Sequence, residues 1–295
     1  MAQPLTLLFI ASLPHSGSTL LDLLLGAHSR IESLGEISTL ERYAEAPVNA
    51  APLGRRQQCT CGAMNIWQCD YWSSVDRTLR ELVDVGLRDL DVASPNFAEF
   101  TLSNTLLFEA ISRITNKKII VDSSKSIRRL QMLMQIETLE VLPVFLYRQP
   151  HGQISSMIKK YGNPDRHIAD NIQKNTNFLD LISRHDHVLL RYDRLVASPE
   201  QELLRLLDFI GLEFEPGQLN WAGRIKHNIS GNGMRFSNRG ELRQDESWRD
   251  ILTPHLLARI DAAIVGLEAR IASDESRRVG LKNSGGWPSV RVEGS

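Results

Sequence analysis

The sequence predicts an α/β protein with a mostly parallel central sheet flanked by helices on both faces. Two observations carry this reading. Four short apolar or β-branched runs, at 5–11, 117–121, 141–147 and 187–191, are bounded by polar or turn residues, as buried strands are. Apolar residues recur at helical spacing over 19–27, 126–136, 152–160, 166–183 and 199–210, so strands alternate with helices and a parallel sheet follows.

With 295 residues, 42% hydrophobic and 23% charged, the chain fits one doubly wound domain, expected over 1–275. An insertion interrupts it at about 46–72, and a Ser/Gly-rich tail at 276–295 is expected to be mobile. The formal net charge of −1 gives no electrostatic reason to expect nucleic acid, so any anion must be held by a local cluster. The apolar run near Met1 has no cationic region ahead of it and is too short to span a bilayer. An odd count of three cysteines fits a reducing compartment, and a cytoplasmic location is expected.

The first strand runs into Ser12-Leu13-Pro14-His15-Ser16-Gly17-Ser18-Thr19, where small residues open a helix. Such a turn aims backbone N–H groups and a helix N-terminus at one spot and so grips phosphate without net charge. Ser16, Ser18 and Thr19 add hydroxyl donors. Against the triphosphate pattern G-x-x-x-x-G-K-[ST], Ser12 replaces the first glycine and Ser18 the lysine. A kinase or hydrolase needs that lysine on its β and γ phosphates, so a donor with fewer phosphates in line fits better.

After the first helix, Gly35 permits a tight turn that returns Glu36 toward the strand ends. In the insertion, Cys59, Cys61 and Cys69 suit either reduced packed thiols or zinc with a fourth ligand, although C-x-C followed by one distant cysteine is not a standard four-ligand pattern. No metal is expected to be required. The second strand ends in Val121-Asp122-Ser123-Ser124-Lys125, and an apolar run ending in aspartate is the feature most favourable to a magnesium-dependent kinase. The third strand ends in Arg148-Gln149-Pro150, with Ser156 two turns into the helix that Pro150 opens, so a forked charge leaves a strand end where ligands gather. Tyr192 ends the fourth strand, and Gly231 and Gly233 in 227–235 allow close backbone approach, with Arg235, or its rival Arg239, able to reach a phosphate.

Pro14-His15-Ser16-Gly17-Ser18-Thr19-Leu20 resembles the loop P-[KR]-S-G-[ST]-[ST]-[WL] of sulfotransferases that use 3′-phosphoadenosine 5′-phosphosulfate. Arg148 to Ser156 resembles their R-x-P-x-x-x-x-x-S signature for the 3′-phosphate, and Leu34-Gly35-Glu36 resembles the Gly-Glu pair of the carbohydrate and bacterial branches. The resemblance implies a P-loop-like fold, with His15, Ser16, Gly17, Ser18 and Thr19 on the 5′-phosphate and Arg148 and Ser156 on the 3′-phosphate. It also implies Tyr192 near the adenine and a loop with Asn232 and Arg235 closing over the nucleotide. Glu36 is then the base and Lys125 the active-site lysine. His15 stands where the family has Lys or Arg, and it either assists the leaving group or only bonds the 5′-phosphate. The C-x-C-G, then C and W, arrangement is similar to one in bacterial members.

The expected activity is sulfuryl transfer to an acceptor hydroxyl of a sugar, lipid or other small molecule, releasing 3′-phosphoadenosine 5′-phosphate. A kinase-like phosphotransferase using ATP and magnesium, or a nucleotide-binding module without catalysis, are the alternatives.

Overall fold

The computed structural model describes residues 4–47, 58–236, 242 and 244–283, with side chains described to 276. Five strands, β1 (Leu5–Ala11), β2 (Ile31–Ser33), β3 (Ile119–Asp122), β4 (Leu139–Tyr147) and β5 (Val188–Arg191), form a parallel sheet in the order β2-β3-β1-β4-β5. In β1 every residue from Leu7 to Ala11 is at most 1% exposed. Successive strand residues face opposite ways, so both faces of β1 are covered, which is why its sequence is continuously apolar rather than alternating.

The chain divides into two compact units. The first comprises Met1–Ala11, Ser18–Pro143 and Glu215–Gly240. In it β1 pairs with β3 in the register Leu8 to Val121, and β3 pairs with β2 through Val121 to Ser33. Helix α1 (Ser18–Gly26) is buried from Leu20 to Leu25, and α2 (Leu40–Ala44) follows a short 3-10 turn at Ile37–Thr39. Helix α3 (Asp70–Val83) buries Trp72, Val75 and Leu79, three positions on one helical face. Helix α4 (Phe97–Thr115) begins where the Asn96 side chain accepts from the N–H groups of Ala98 and Glu99. The short α5 (Ile127–Leu133) follows β3 and starts at a Ser126 cap that accepts from Arg129 N–H.

The second unit comprises Ser12–Gly17, Val144–Phe214 and Glu241–Ser295. Here β4 and β5 pair from Val144 with Val188 to Tyr147 with Arg191. Helices α6 (Pro150–Tyr161), α7 (Pro164–Ile182) and α9 (Pro199–Phe209) each carry proline in the first turn, where a missing N–H costs nothing. Between β5 and α9 lies α8 (Tyr192–Ala197), and α10 (Trp248–Ile251) precedes the long α11 (Pro254–Asn283). Ile260 and Ile264 of α11 pack with Ile154, Ile168 and Leu252. Polar contacts fasten α11 further: Tyr147 Oη donates to Glu268 at 2.7 Å, and Arg191 pairs with Glu268 and Glu275.

The sequence expectation missed β2, whose three residues are too few to show a period. Strand β3 lies later than expected and takes in Asp122, because that side chain is buried by a partner rather than solvated. Beyond α9 (Pro199–Phe209), 3-10 turns occupy Pro216–Gly223 and Gly233–Phe236. The last helix continues to Asn283, into the stretch 276–295 that was expected to be a mobile tail. Much of the insertion, at 48–57, and the end of the tail, at 284–295, lie outside the described residues.

Candidate active site

In the second unit the loop 12–17 is shaped by two left-handed residues, His15 with φ 65° and Gly17 with φ 88°. Glycine adopts this conformation freely, whereas a histidine there stores about 1–3 kcal/mol of strain that surrounding contacts must offset. Those contacts come from the turn after β4. Arg148 donates Nη1 to the His15 carbonyl at 2.7 Å, and Gln153 donates Nε2 to the Pro14 carbonyl at 3.2 Å. Gln153 is itself held by Asn171, whose Nδ2 donates to Gln153 Oε1 at 2.9 Å. A trans peptide points its N–H opposite to its C=O. Tying off these two carbonyls therefore turns the N–H groups of His15 and Ser16 the other way, the donor arrangement that an anion needs.

Tyr192 packs on the same loop: a Cβ added at Gly17 would fall 2.3 Å from Tyr192 Cδ2. The Arg148 guanidinium lies over the Tyr192 ring, 4.9 Å from its centre. Arg148 also donates Nη2 to Asp245 at 3.0 Å. Hydrogen bonds from Ser247 and then from Arg148 hold the Asp245 carboxyl below its usual range, although burial opposes them. Ser156 donates Oγ to the Gly152 carbonyl at 2.9 Å, so its proton is used within its own helix.

In the first unit Gly35, at φ 80°, forms an isolated parallel bridge with Ile229. Any Cβ there would meet the Ile229 carbonyl oxygen at 2.2 Å, so this crossing requires glycine. The Gly35 carbonyl accepts from Ser123 N–H at 2.9 Å, which brings Glu36 to the end of β3. Lys125 Nζ donates to Glu36 Oε1 and, at 3.1 Å, to the Ser123 carbonyl. Ser230 Oγ donates to Glu36 Oε2 at 3.3 Å, while the Ser230 N–H donates to Tyr43 Oη at 2.6 Å. Lys125 and Ser230, like His15, are non-glycine residues at positive φ, 59° and 57°. Strained residues of this kind persist where the surroundings over-determine them, and three of them fall at predicted or adjoining site positions.

Farther along that segment Asn232 N–H donates to Thr19 Oγ1 at 3.2 Å, and Gly231 leaves room for the Thr19 side chain. Arg235 is buried and donates to the Asn228 carbonyl at 2.9 Å, so it holds the segment's own backbone. Asn228 Nδ2 donates to Asp22 Oδ2, as does Ser33 Oγ at 2.8 Å. Burial pushes the Asp22 carboxyl up to about 7 despite these bonds. Arg239 lies outside the described residues.

The Asp122 carboxylate is taken up by protein groups rather than turned toward a site for a metal ion. It is fully buried, pairs with Arg129 Nε at 2.7 Å through Oδ2, and accepts from Ser124 through Oδ1. Arg129 completes its fork on the Val92 carbonyl and on Asn104 Oδ1, 2.7 Å away. A paired, hydrogen-bonded aspartate of this kind is structural.

The structure thus brings Glu36 together with Lys125, Thr19 with Asn232, and the His15 and Gly17 backbone with Arg148 and Tyr192. Ser16 and Ser18 are buried in the loop and at the start of α1. Sequence reasoning missed Ser230, Tyr43, Gln153, Asp245 and Asp22. Of these, Gln153 lies within the Arg148–Ser156 motif and Ser230 within the 227–235 segment, whereas nothing local marks Tyr43 or Asp22.

A family model for the sulfotransferase family matches residues 8–216. Among solved structures, the sulfotransferase domain from the curacin biosynthetic pathway is 20% identical with a TM-score of 0.54, covering 90% of this chain and 98% of that one. The sulfotransferase domain from the Synechococcus PCC 7002 olefin synthase is also 20% identical, with a TM-score of 0.51 and coverage of 89% and 95%. At these identities the likeness is one of fold. Comparison with curated protein sequences finds no match.

Proposed function

The chain belongs to the sulfotransferase family, and from that premise we propose that it moves a sulfuryl group from 3′-phosphoadenosine 5′-phosphosulfate to an acceptor hydroxyl, with Glu36 as general base. The observation that carries the base assignment is the seating of Glu36 at the end of β3, one carboxylate oxygen on Lys125 and the other on Ser230. A base must be held in one orientation, and two donors on two oxygens do that.

The donor supplies an activated sulfur bonded to a phosphate leaving group. The acceptor oxygen forms its bond to sulfur as the sulfur–phosphate oxygen bond breaks, and the acceptor proton passes to Glu36. Lys125 supplies positive charge for the sulfuryl oxygens, a role in which its bond to Glu36 is exchanged for one to the substrate. On the donor side, His15, Ser16, Gly17, Ser18 and Thr19 take the 5′-phosphate. The tied carbonyls of Pro14 and His15 support that assignment by keeping acceptor oxygens away from an anion. Arg148 and Ser156 take the 3′-phosphate, for which Arg148 has the forked geometry and Ser156 must release the Gly152 carbonyl. Tyr192 offers an aromatic face beside Arg148 for the adenine, and Asn232 and Arg235 belong to the segment assigned to close over the nucleotide.

A carboxylate base suits an alcohol acceptor, whose proton must leave as it attacks. Among the described residues no helix is long and apolar enough to cross a membrane, and the odd count of three cysteines fits a reducing compartment such as the cytoplasm. The kinase alternative loses its best support with the burial of Asp122 against Arg129. Incubation with ³⁵S-labelled donor and a metabolite extract tests the proposal. Labelled product, together with thermal stabilisation by 3′-phosphoadenosine 5′-phosphate but not by ATP with magnesium, is expected. Stabilisation by ATP with magnesium alone defeats it.

A further inference from the structure

Cys59, Cys61, Cys69 and His227 each offer one ligand atom, and the four atoms lie within 4.8 Å of one another. Cys61 Sγ is 3.6 Å from Cys69 Sγ, and His227 Nδ1 is 3.2 Å from Cys69 Sγ and 3.9 Å from Cys59 Sγ. A tetrahedral zinc ion with arms of about 2.3 Å to sulfur and about 2.0 Å to nitrogen separates its ligand atoms by about 3.5–3.8 Å. A disulfide instead needs its sulfurs about 2.05 Å apart. The observed spacings bracket those of a coordination shell and are well beyond those of a bond. We propose that these four residues bind one zinc ion as a closed Cys3His structural site.

The local backbone is built for thiolates. Gly62, at φ 98°, closes the turn Cys59-Thr60-Cys61-Gly62 by donating its N–H to the Cys59 carbonyl at 3.0 Å. The N–H groups of Cys61, Ala63 and Trp72 are directed to the sulfurs of Cys59, Cys61 and Cys69 in turn. Three main-chain donors on three sulfurs spread the negative charge that three zinc-bound thiolates accumulate. His227 is fixed from two sides: its ring stacks on Tyr71 at 4.6 Å with an interplanar angle of 3°, and its carbonyl accepts from Trp72 Nε1 at 2.8 Å. Soft sulfur ligands with one imidazole select zinc over magnesium or calcium, and four protein ligands leave no position open for catalysis.

The ion ties the cysteine segment to His227, which directly precedes the Asn228-Ile229-Ser230 stretch that bridges to Gly35 and bonds Glu36. Its structural consequence is to anchor that stretch, and only its importance for turnover rests on the sulfotransferase reading.

The test uses the full chain purified in reductant without chelator. Mass-spectrometric metal analysis is expected to give about one zinc per chain, and cobalt replacement to give the intense visible bands of a tetrahedral thiolate site. Cys61→Ser, at an exposed position, and His227→Gln are each expected to lower zinc affinity at least about tenfold in chelator competition. Circular dichroism identifies a variant that fails to fold, in which case the wild-type stoichiometry and cobalt spectrum decide. Wild-type protein without zinc and without a cobalt spectrum, a Cys61–Cys69 disulfide in the purified chain, or folded variants with unchanged zinc affinity overturns the proposal.

Discussion

Lys125 donates its ammonium to the carboxylate of Glu36, a pairing between residues 89 positions apart, with side chains only 14% and 21% exposed. Glu36→Gln keeps the shape of the side chain but removes the carboxylate proposed as base, and turnover is expected to fall about 10²–10⁴-fold. Stabilisation by 3′-phosphoadenosine 5′-phosphate in a thermal-shift measurement is expected to stay within error of the parent. Lys125→Ala is expected to lower turnover as well; unchanged turnover would remove it from charge stabilisation.

Arg148 and Asp245 give predictions of opposite sign. Arg148→Ala removes the charge-assisted hydrogen bonds proposed for the 3′-phosphate, worth about 1.5–3 kcal/mol each, so calorimetric affinity for 3′-phosphoadenosine 5′-phosphate is expected to weaken at least about tenfold. Asp245→Asn weakens the hold on Arg148 Nη2 and is expected to tighten the same ligand. Weaker binding in Asp245→Asn would show that the pair preorganises Arg148 rather than competing for it.

Gly17→Ala places a methyl group 2.3 Å from Tyr192 Cδ2 at a φ of 88°. Urea denaturation is expected to show a loss of about 1–3 kcal/mol from the backbone conformation, and more from the clash. Tyr192→Ala relieves only the clash, so the double variant is expected to be more stable than the two single losses predict. Simple additivity would show that the ring moves aside freely.

Asp22 makes stability fall as pH rises. Its carboxyl is raised by burial from 3.8 to about 7 in the folded chain, so between those values the folded state binds more protons than the unfolded state. Stability therefore declines across that window and levels off above it. Asp22→Asn is expected to be relatively more stable than the parent by an amount that grows from pH 4 to 7 and is constant at pH 8. A pH-independent difference in Tm would place the Asp22 proton elsewhere.

Much of the fold was legible because β1, β4, β5 and helices α1, α5, α6, α7 and α9 carry their own period and turn signals. β2 was not, since three residues hold no period. At the site, the loop 12–17, the Gly35 turn and Arg148 after β4 were readable for a local reason: each is a backbone signal or a charge set directly beside a strand end. Asp122 was misleading from the sequence side, because an aspartate ending an apolar strand looks the same whether it faces a cation or a buried Arg129.

The sequence by itself determined the alternating architecture, the small-residue loop between β1 and α1 and the presence of a glutamate after Gly35, since each depends on residues adjacent in the chain. Only the tertiary structure decided that Glu36 meets Lys125 and Ser230, that Asp22 is buried, and that His227 joins three cysteines, its Nδ1 facing Cys59 across 168 positions. Charge pairing and ligand sets depend on which side chains arrive within a few ångströms and how much water remains between them. Those distances are set by the packing of whole elements, and no short stretch of chain records them.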